Sequence, residues 1–129
     1  MDLTVHHIGI AVADLDRSVA FYEALGFSRA ATFGPPDGSR TIVQMVKGDG
    51  MIELFAYADG VVTPHAVERP VAGLKHIGLR TSDVRATLAE LEALGLVEPG
   101  VPVNETGTGI TMAFISDPDG TSLEILSLG

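Results

Sequence analysis

The sequence predicts an α+β protein built from two copies of one β-α-β-β-β unit, and three observations carry that prediction. The stretch His7-Ile-Gly-Ile-Ala-Val-Ala-Asp14 recurs as His76-Ile-Gly-Leu-Arg-Thr-Ser-Asp83, and an internal repeat constrains architecture before any single element does. Each copy runs on into a segment of helical period that closes on Leu25-Gly26 or Leu94-Gly95. The rest of each half alternates apolar and polar residues between Gly- and Pro-containing breaks, the pattern of strands and turns. In register, Ala20, Glu23 and Ala24 return as Ala89, Glu92 and Ala93, so the repeat spans strand and helix together.

Residues 3–12 read as the first strand, with Ile8, Ile10 and Val12 on one face and His7, Gly9 and Ala11 on the other. Asp14 is a suitable N-cap. The helix after it buries a stripe of Leu15, Val19, Tyr22 and Gly26, with Leu25 adding to it. Gly26 suits the left-handed position that ends a helix. Strands at 27–33, 40–47 and 51–57 follow, separated by the loop Gly34-Pro-Pro-Asp-Gly38 and the tight turn Gly48-Asp-Gly50. The first unit is thus 1–57. Residues 58–73 have no clean period and contain Gly60, Pro64, Pro70 and Gly73, as a linker would. The second unit, 74–129, comprises a strand at 74–81 and a helix at 83–94 with Val84, Leu88 and Leu91 inward. A strand at 96–101, a loop through Gly107 and Gly109, a strand at 110–115, the turn Asp117-Pro-Asp-Gly120 and a strand at 121–128 complete it.

The 129 residues fit one domain, 1–129, and 46% apolar content with a mean hydropathy of +0.31 fits a well-filled core. A net charge of −9, from 17 acids against 8 bases, argues against nucleic acid or an anionic membrane as partner. The absence of Cys excludes disulfides and thiolate metal sites. No run reaches the ~18 apolar residues of a membrane span, and no basic-then-apolar leader precedes the first strand pattern, so a cytoplasmic protein is expected.

The polar residues on the strands single out one constellation. His7 and His76 face away from the bulky aliphatics of their strands, beside the small Gly9 and Gly78. Glu53 lies between Ile52 and Leu54, and Glu124 between Leu123 and Ile125. Small residues on the His-bearing face leave a hollow into which two imidazoles and two carboxylates would project. A lone strand His is more often a hydrogen-bonded or surface residue, and a lone Glu usually marks a solvated face. Four such residues at symmetric repeat positions favour a site. Imidazole with carboxylate suits Mn, Fe, Co, Ni or Zn rather than Ca. Four protein ligands on an octahedral ion leave two adjacent positions for a substrate. His6 and His65 have no repeat partner. His6 is expected on the opposite face from His7, and both are read as structural.

The residues carrying these motifs, His7-Ile-Gly-Ile-Ala-Val-Ala-Asp-Leu15, Ser18-Val-Ala-Phe-Tyr-Glu-Ala-Leu-Gly26, His76-Ile-Gly-Leu79 and Asp117-Pro-Asp-Gly-Thr-Ser-Leu-Glu124, resemble the vicinal oxygen chelate superfamily. This is the glyoxalase, bleomycin-resistance and extradiol-dioxygenase group. The resemblance spans nearly the whole chain. It implies two tandem βαβββ modules whose curved mixed sheets enclose a metal cavity. The family's ligands, carried over by position, fall on His7, Glu53, His76 and Glu124, the same four that the strand faces select.

The full ligand set implies a glyoxalase-like lyase or isomerase that chelates a small substrate through adjacent oxygens and stabilises an enediolate, with Glu124 or Glu53 as general base. The two competing readings are a ligand-sequestering protein of the antibiotic-resistance type and a ring-cleaving extradiol dioxygenase. Dioxygenases in the family use two His and one carboxylate, so Glu53 speaks against that chemistry. Glyoxalase I usually has an Arg four residues after the first ligand and an Asn four after the second, both gripping glutathione. Here those positions hold Ala11 and Tyr57. No cationic grip for CoA, as in the related epimerases, is visible. Arg80, four residues after His76, suits a substrate carboxylate or phosphate, and Tyr57 and Phe55 are further candidate substrate contacts. The resemblance also implies a homodimer. With no Trp and 5% aromatics, its interface would rest mainly on aliphatic side chains.

Overall fold

In each half of the chain a helix lies on one mixed sheet, and the order of strands explains how the site residues come together. The computed structural model describes residues 1–62 and 71–129. It divides into two compact units, Met1–His65 and Ala66–Gly129. Half of the expected linker 58–73, with Pro64, His65 and Pro70, lies outside the described residues.

The first unit contains β1 (Ile8–Ala11), α1 (Leu15–Ala24), β2 (Ser28–Phe33), β3 (Arg40–Lys47) and β4 (Gly50–Tyr57). The sheet order is β1-β4-β3-β2, with β1 parallel to β4 and the other pairs antiparallel. The second unit repeats this arrangement with β5 (Ile77–Arg80), α2 (Val84–Ala93), β6 (Asn104–Glu105), β7 (Ile110–Ser116) and β8 (Ser122–Leu128), ordered β5-β8-β7-β6. The expected α+β architecture of two β-α-β-β-β units is therefore present.

Two strands depart from expectation. β1 begins at Ile8 rather than at residue 3, because its partner runs out. Ile8 pairs with Ile52 in parallel register, so residues before His7 would have to pair beyond Gly50, where the chain turns back through Gly48 and Asp49. β5 begins at Ile77 rather than at 74 for the same reason, since Leu123 is its partner and Gly120 ends the preceding turn. No strand forms at 96–101. Pro99 has no N–H for a ladder, Gly100 has φ +89, and its N–H donates to Glu92 Oε1 at 3.3 Å. The outer strand is instead the short β6, with Asn104 opposite Met112 and Glu105 opposite Thr111.

Both helices start and stop by the same chemistry. Asp14 Oδ1 accepts from the Arg17 N–H at 3.1 Å, and Asp83 Oδ1 from the Ala86 N–H at 3.0 Å, satisfying donors that no helical carbonyl can reach. At the far ends Gly26 (φ +95) and Gly95 (φ +70) take the left-handed conformation. Phe27 N–H then bonds Tyr22 O at 3.0 Å and Gly26 N–H bonds Glu23 O at 2.9 Å, and Leu96 and Gly95 repeat the pair on Leu91 and Glu92. Neither helix has a basic residue in its last turn. In the first unit Lys47 replaces one from β3, its Nζ donating to Leu25 O at 3.0 Å, where the helix dipole favours a cation.

The α1 stripe differs from the one expected. Ser18, Val19, Phe21 and Tyr22 are buried, Leu15 and Leu25 are half-buried and Gly26 is exposed. The sheet under α1 asks for large rings. Tyr22 meets Phe21 and Phe27 edge-on, at centroid distances of 5.3 and 5.8 Å, and α1 packs on β2, β3 and β4. In the second unit Val84, Leu88 and Leu91 are buried as expected. Ile52 and Leu54 in β4 and Leu123 and Ile125 in β8 are core residues, so the aliphatics flanking each Glu face inward. No described helix is long and apolar enough to cross a membrane.

Candidate metal centre

The same register places a His beside a Glu in each sheet. Gly9 is the parallel partner of Glu53, and Gly78 of Glu124. Side chains alternate along a strand, so the His two positions before each Gly shares a face with the Glu, and the Gly leaves room between them. His7 Nε2 lies 3.2 Å from Glu53 Oε1, and His76 Nε2 lies 2.8 Å from Glu124 Oε2. The imidazoles are partly open, at 37% and 36% side-chain exposure, whereas Glu53 is more enclosed than Glu124, at 8% against 15%. Each unit thus sets one imidazole nitrogen directly against one carboxylate oxygen. Among the described residues, no group of three or more His, Cys, Asp or Glu side chains is arranged to hold a metal ion.

The surroundings correct the sequence reading in two places. The expected hollow over Gly9 is occupied. A Cβ built on Gly9 would come within 3.1 Å of Phe55 Cε2, and one on Gly78 within 3.5 Å of Leu126 Cδ2. The residue two positions after each Glu closes over the Gly. Phe55 in turn lies roughly parallel to Tyr57, at 6.5 Å between centroids and 23° between planes, so two candidate substrate contacts form one aromatic surface beside Glu53. The second correction is His6. It does not face away from His7, because β1 starts only at Ile8 and strand alternation does not reach it. The two Nδ1 atoms are 2.9 Å apart and the rings meet edge-on. One ring must donate and the other accept. When His7 is the donor its Nε2 keeps a lone pair, as a metal ligand requires. Lys75, at the same repeat position, has no acceptor to offer.

One neighbour went unremarked in the sequence. Gln44 stands opposite Glu53 in the antiparallel β3–β4 register, and its Nε2 donates to Glu53 Oε2 at 2.9 Å. The signal was a single amide between Ile42-Val43 and Met45-Val46. In the second unit the residue opposite Glu124 is Phe114, whose ring meets His76 edge-on at 5.4 Å. Arg80 is exposed at the end of β5, on the strand face of His76 and Gly78, and among the described residues no hydrogen bond or ion pair is assigned to it.

Two matching sheets, each with a parallel first strand and a His–Glu pair at one register position, define a known class. Residues 4–125 match the Glyoxalase/Bleomycin resistance protein/Dioxygenase superfamily, and the chain belongs to it. Among its relatives, the uncharacterized protein YwkD of Bacillus subtilis is 31% identical over 95% of this chain and 94% of its own length. A bleomycin resistance protein of Klebsiella pneumoniae is 32% identical over 88% of this chain and 83% of its own. Among solved structures, the trypanothione-dependent glyoxalase I of Leishmania major superposes with a TM-score of 0.75 at 29% identity, covering 98% of this chain and 87% of that one. The superfamily includes metal-dependent glyoxalase I enzymes and bleomycin resistance proteins alike.

Proposed function

We propose that the protein is a glyoxalase-like, metal-dependent lyase or isomerase in which His7, Glu53, His76 and Glu124 together hold one divalent ion. The observation that carries this reading is the His–Glu pair repeated at one register position in two sheets. The donor set fits a borderline transition metal, with two neutral nitrogens and two carboxylates. Bound there, the ion supplies Lewis-acid polarisation of a substrate carbonyl, which acidifies the neighbouring C–H.

The chain's own groups do the rest. Glu124 or Glu53 takes the proton from that carbon and returns it to an adjacent position, as a general base then acid. Arg80 pairs with a substrate carboxylate or phosphate. Phe55 and Tyr57 give the substrate an apolar wall and help exclude water. Similarity to the Leishmania major enzyme supports the catalytic reading. Similarity to the Klebsiella pneumoniae protein supports its rival, a cavity that sequesters a ligand without turnover.

Incorporation of solvent deuterium into a panel of small α-hydroxy and α-keto carbonyl compounds separates the two. Metal-dependent exchange at the carbon beside the carbonyl is expected. Saturable binding of such compounds with no exchange would favour sequestration. The methylglyoxal–glutathione hemithioacetal is expected to be a poor substrate, because Ala11 and Tyr57 stand where a glutathione grip would be. A steady-state assay giving an ordinary enzymatic turnover, ~1–1000 per second, would contradict that specificity.

A further inference from the structure

The two half-sites share ligands but not support. Glu53 has both carboxylate oxygens engaged, Oε1 with His7 at 3.2 Å and Oε2 with Gln44 at 2.9 Å. Glu124 meets His76 through Oε2 at 2.8 Å. Its cross-strand neighbour Phe114 has no side-chain donor, so its other oxygen gains nothing from the position where Gln44 serves Glu53. Strand register makes the comparison like for like, since Gln44 is to Glu53 as Phe114 is to Glu124. Gln44 is itself half-buried, between the core residues Val43 and Met45, and its strand is hydrogen-bonded on both sides. An amide held this way has few rotamers to lose when it orients a carboxylate.

We propose that Gln44 is a positioning residue. By holding Glu53 Oε2 it presents Oε1 beside His7 Nε2, and so makes the first unit the preorganised half of the metal centre and the second unit the adaptable half. The inference rests on the four-ligand reading above. Its physical basis is general: a hydrogen bond to the non-ligating atom of a metal ligand orients that ligand and raises affinity. The asymmetry also divides the work. A carboxylate fixed on both oxygens is a good permanent ligand and a poor mobile base, whereas one held by a single imidazole can move.

Co²⁺ titration of five proteins tests it, with the wild type beside Gln44→Met, Phe114→Met, Glu53→Ala and the double variant Gln44→Met/Glu53→Ala. Gln44→Met keeps side-chain length and removes the donor. It is expected to weaken Co²⁺ binding about 10- to 100-fold, with the metal-free circular dichroism spectrum and melting temperature near wild type. Phe114→Met is expected to change affinity less than Gln44→Met does. The decisive readout is the double variant. If Gln44 acts through Glu53, adding Gln44→Met to Glu53→Ala, which has no side-chain oxygen left to hold, costs little further affinity, whereas a merely structural role would cost the same factor in both backgrounds. Should Gln44→Met fail to fold, Phe114→Gln provides the reciprocal test: a donor opposite Glu124 should tighten Co²⁺ binding, and no gain overturns the proposal. Wild-type affinity in Gln44→Met, or equal losses in the two backgrounds, overturns it while leaving the metal centre standing. A wild type that takes up no Co²⁺ overturns both readings.

Discussion

Glu124→Gln is expected to lower metal-dependent proton exchange at the substrate carbon about 100- to 10,000-fold, the usual contribution of a positioned general base. Two features select Glu124 over Glu53. Its side chain is the more accessible of the two, at 15% against 8%, and no amide from the neighbouring strand fixes it as Gln44 fixes Glu53. Glutamine retains a carbonyl oxygen that can stay on a metal but cannot accept a proton into a carboxylate. Bound metal should therefore persist in the variant while exchange is lost, and elemental analysis of the dialysed protein checks that the two effects are separate. Exchange at the wild-type rate in Glu124→Gln would remove this residue from the chemistry.

Leu54→Ala is expected to destabilise the first unit by about 2–5 kcal/mol, the range for a fully buried leucine cut to its Cβ. Leu54 has no exposed surface. In the sheet it stands between Ile10 on β1 and Val43 on β3, both themselves buried. Hydrogen bonds to strands on both sides keep the backbone from collapsing into the space left, so the cost should sit well above the minimum. Its neighbour Glu53 projects from the opposite face, and a shift of β4 would move that carboxylate as well. Denaturant unfolding, compared at constant slope, gives the number. A loss under about 1 kcal/mol would mean that the core around β4 repacks freely.

What the sequence disclosed and what it hid follow from the reach of each signal. The repeat and the period-two alternation are properties of contiguous residues. They located His7, Glu53, His76 and Glu124, the cap Asp14 and both closing glycines, and the structure puts each His beside a Glu; Asp83, read as the first residue of its helix, is instead its cap. Which residue lies across a strand is a matter of pairing register, set between segments. Gln44 pairs with Glu53 only because β3 and β4 meet at a two-residue turn, and the sequence does not announce that the amide will turn toward the carboxylate. Alternation also fails where a strand has no partner, so His6, ahead of β1, lies against His7 instead of on the opposite face. The segment 96–101 misled through its valines and Leu96. Pro99 and Gly100 oppose a strand there, and Leu96 is engaged in closing α2 through Leu91 O. The expected hollow over Gly9 was a correct inference of small size, but Phe55 from the neighbouring strand fills it.

The central claim is that His7, Glu53, His76 and Glu124 act as one centre rather than as two separate ion pairs. Metal stoichiometry measures it most directly. Protein stripped with chelator and titrated with Ni²⁺ or Co²⁺ should take up one ion per chain, whether each centre is formed within one chain or shared between two. His7→Ala and His76→Ala should each weaken uptake by more than the ~10–100-fold typical of losing a supporting residue. Two ions per chain, each lost with only its own histidine, would show two independent sites. Uptake indifferent to both substitutions, or none at all, would contradict the account.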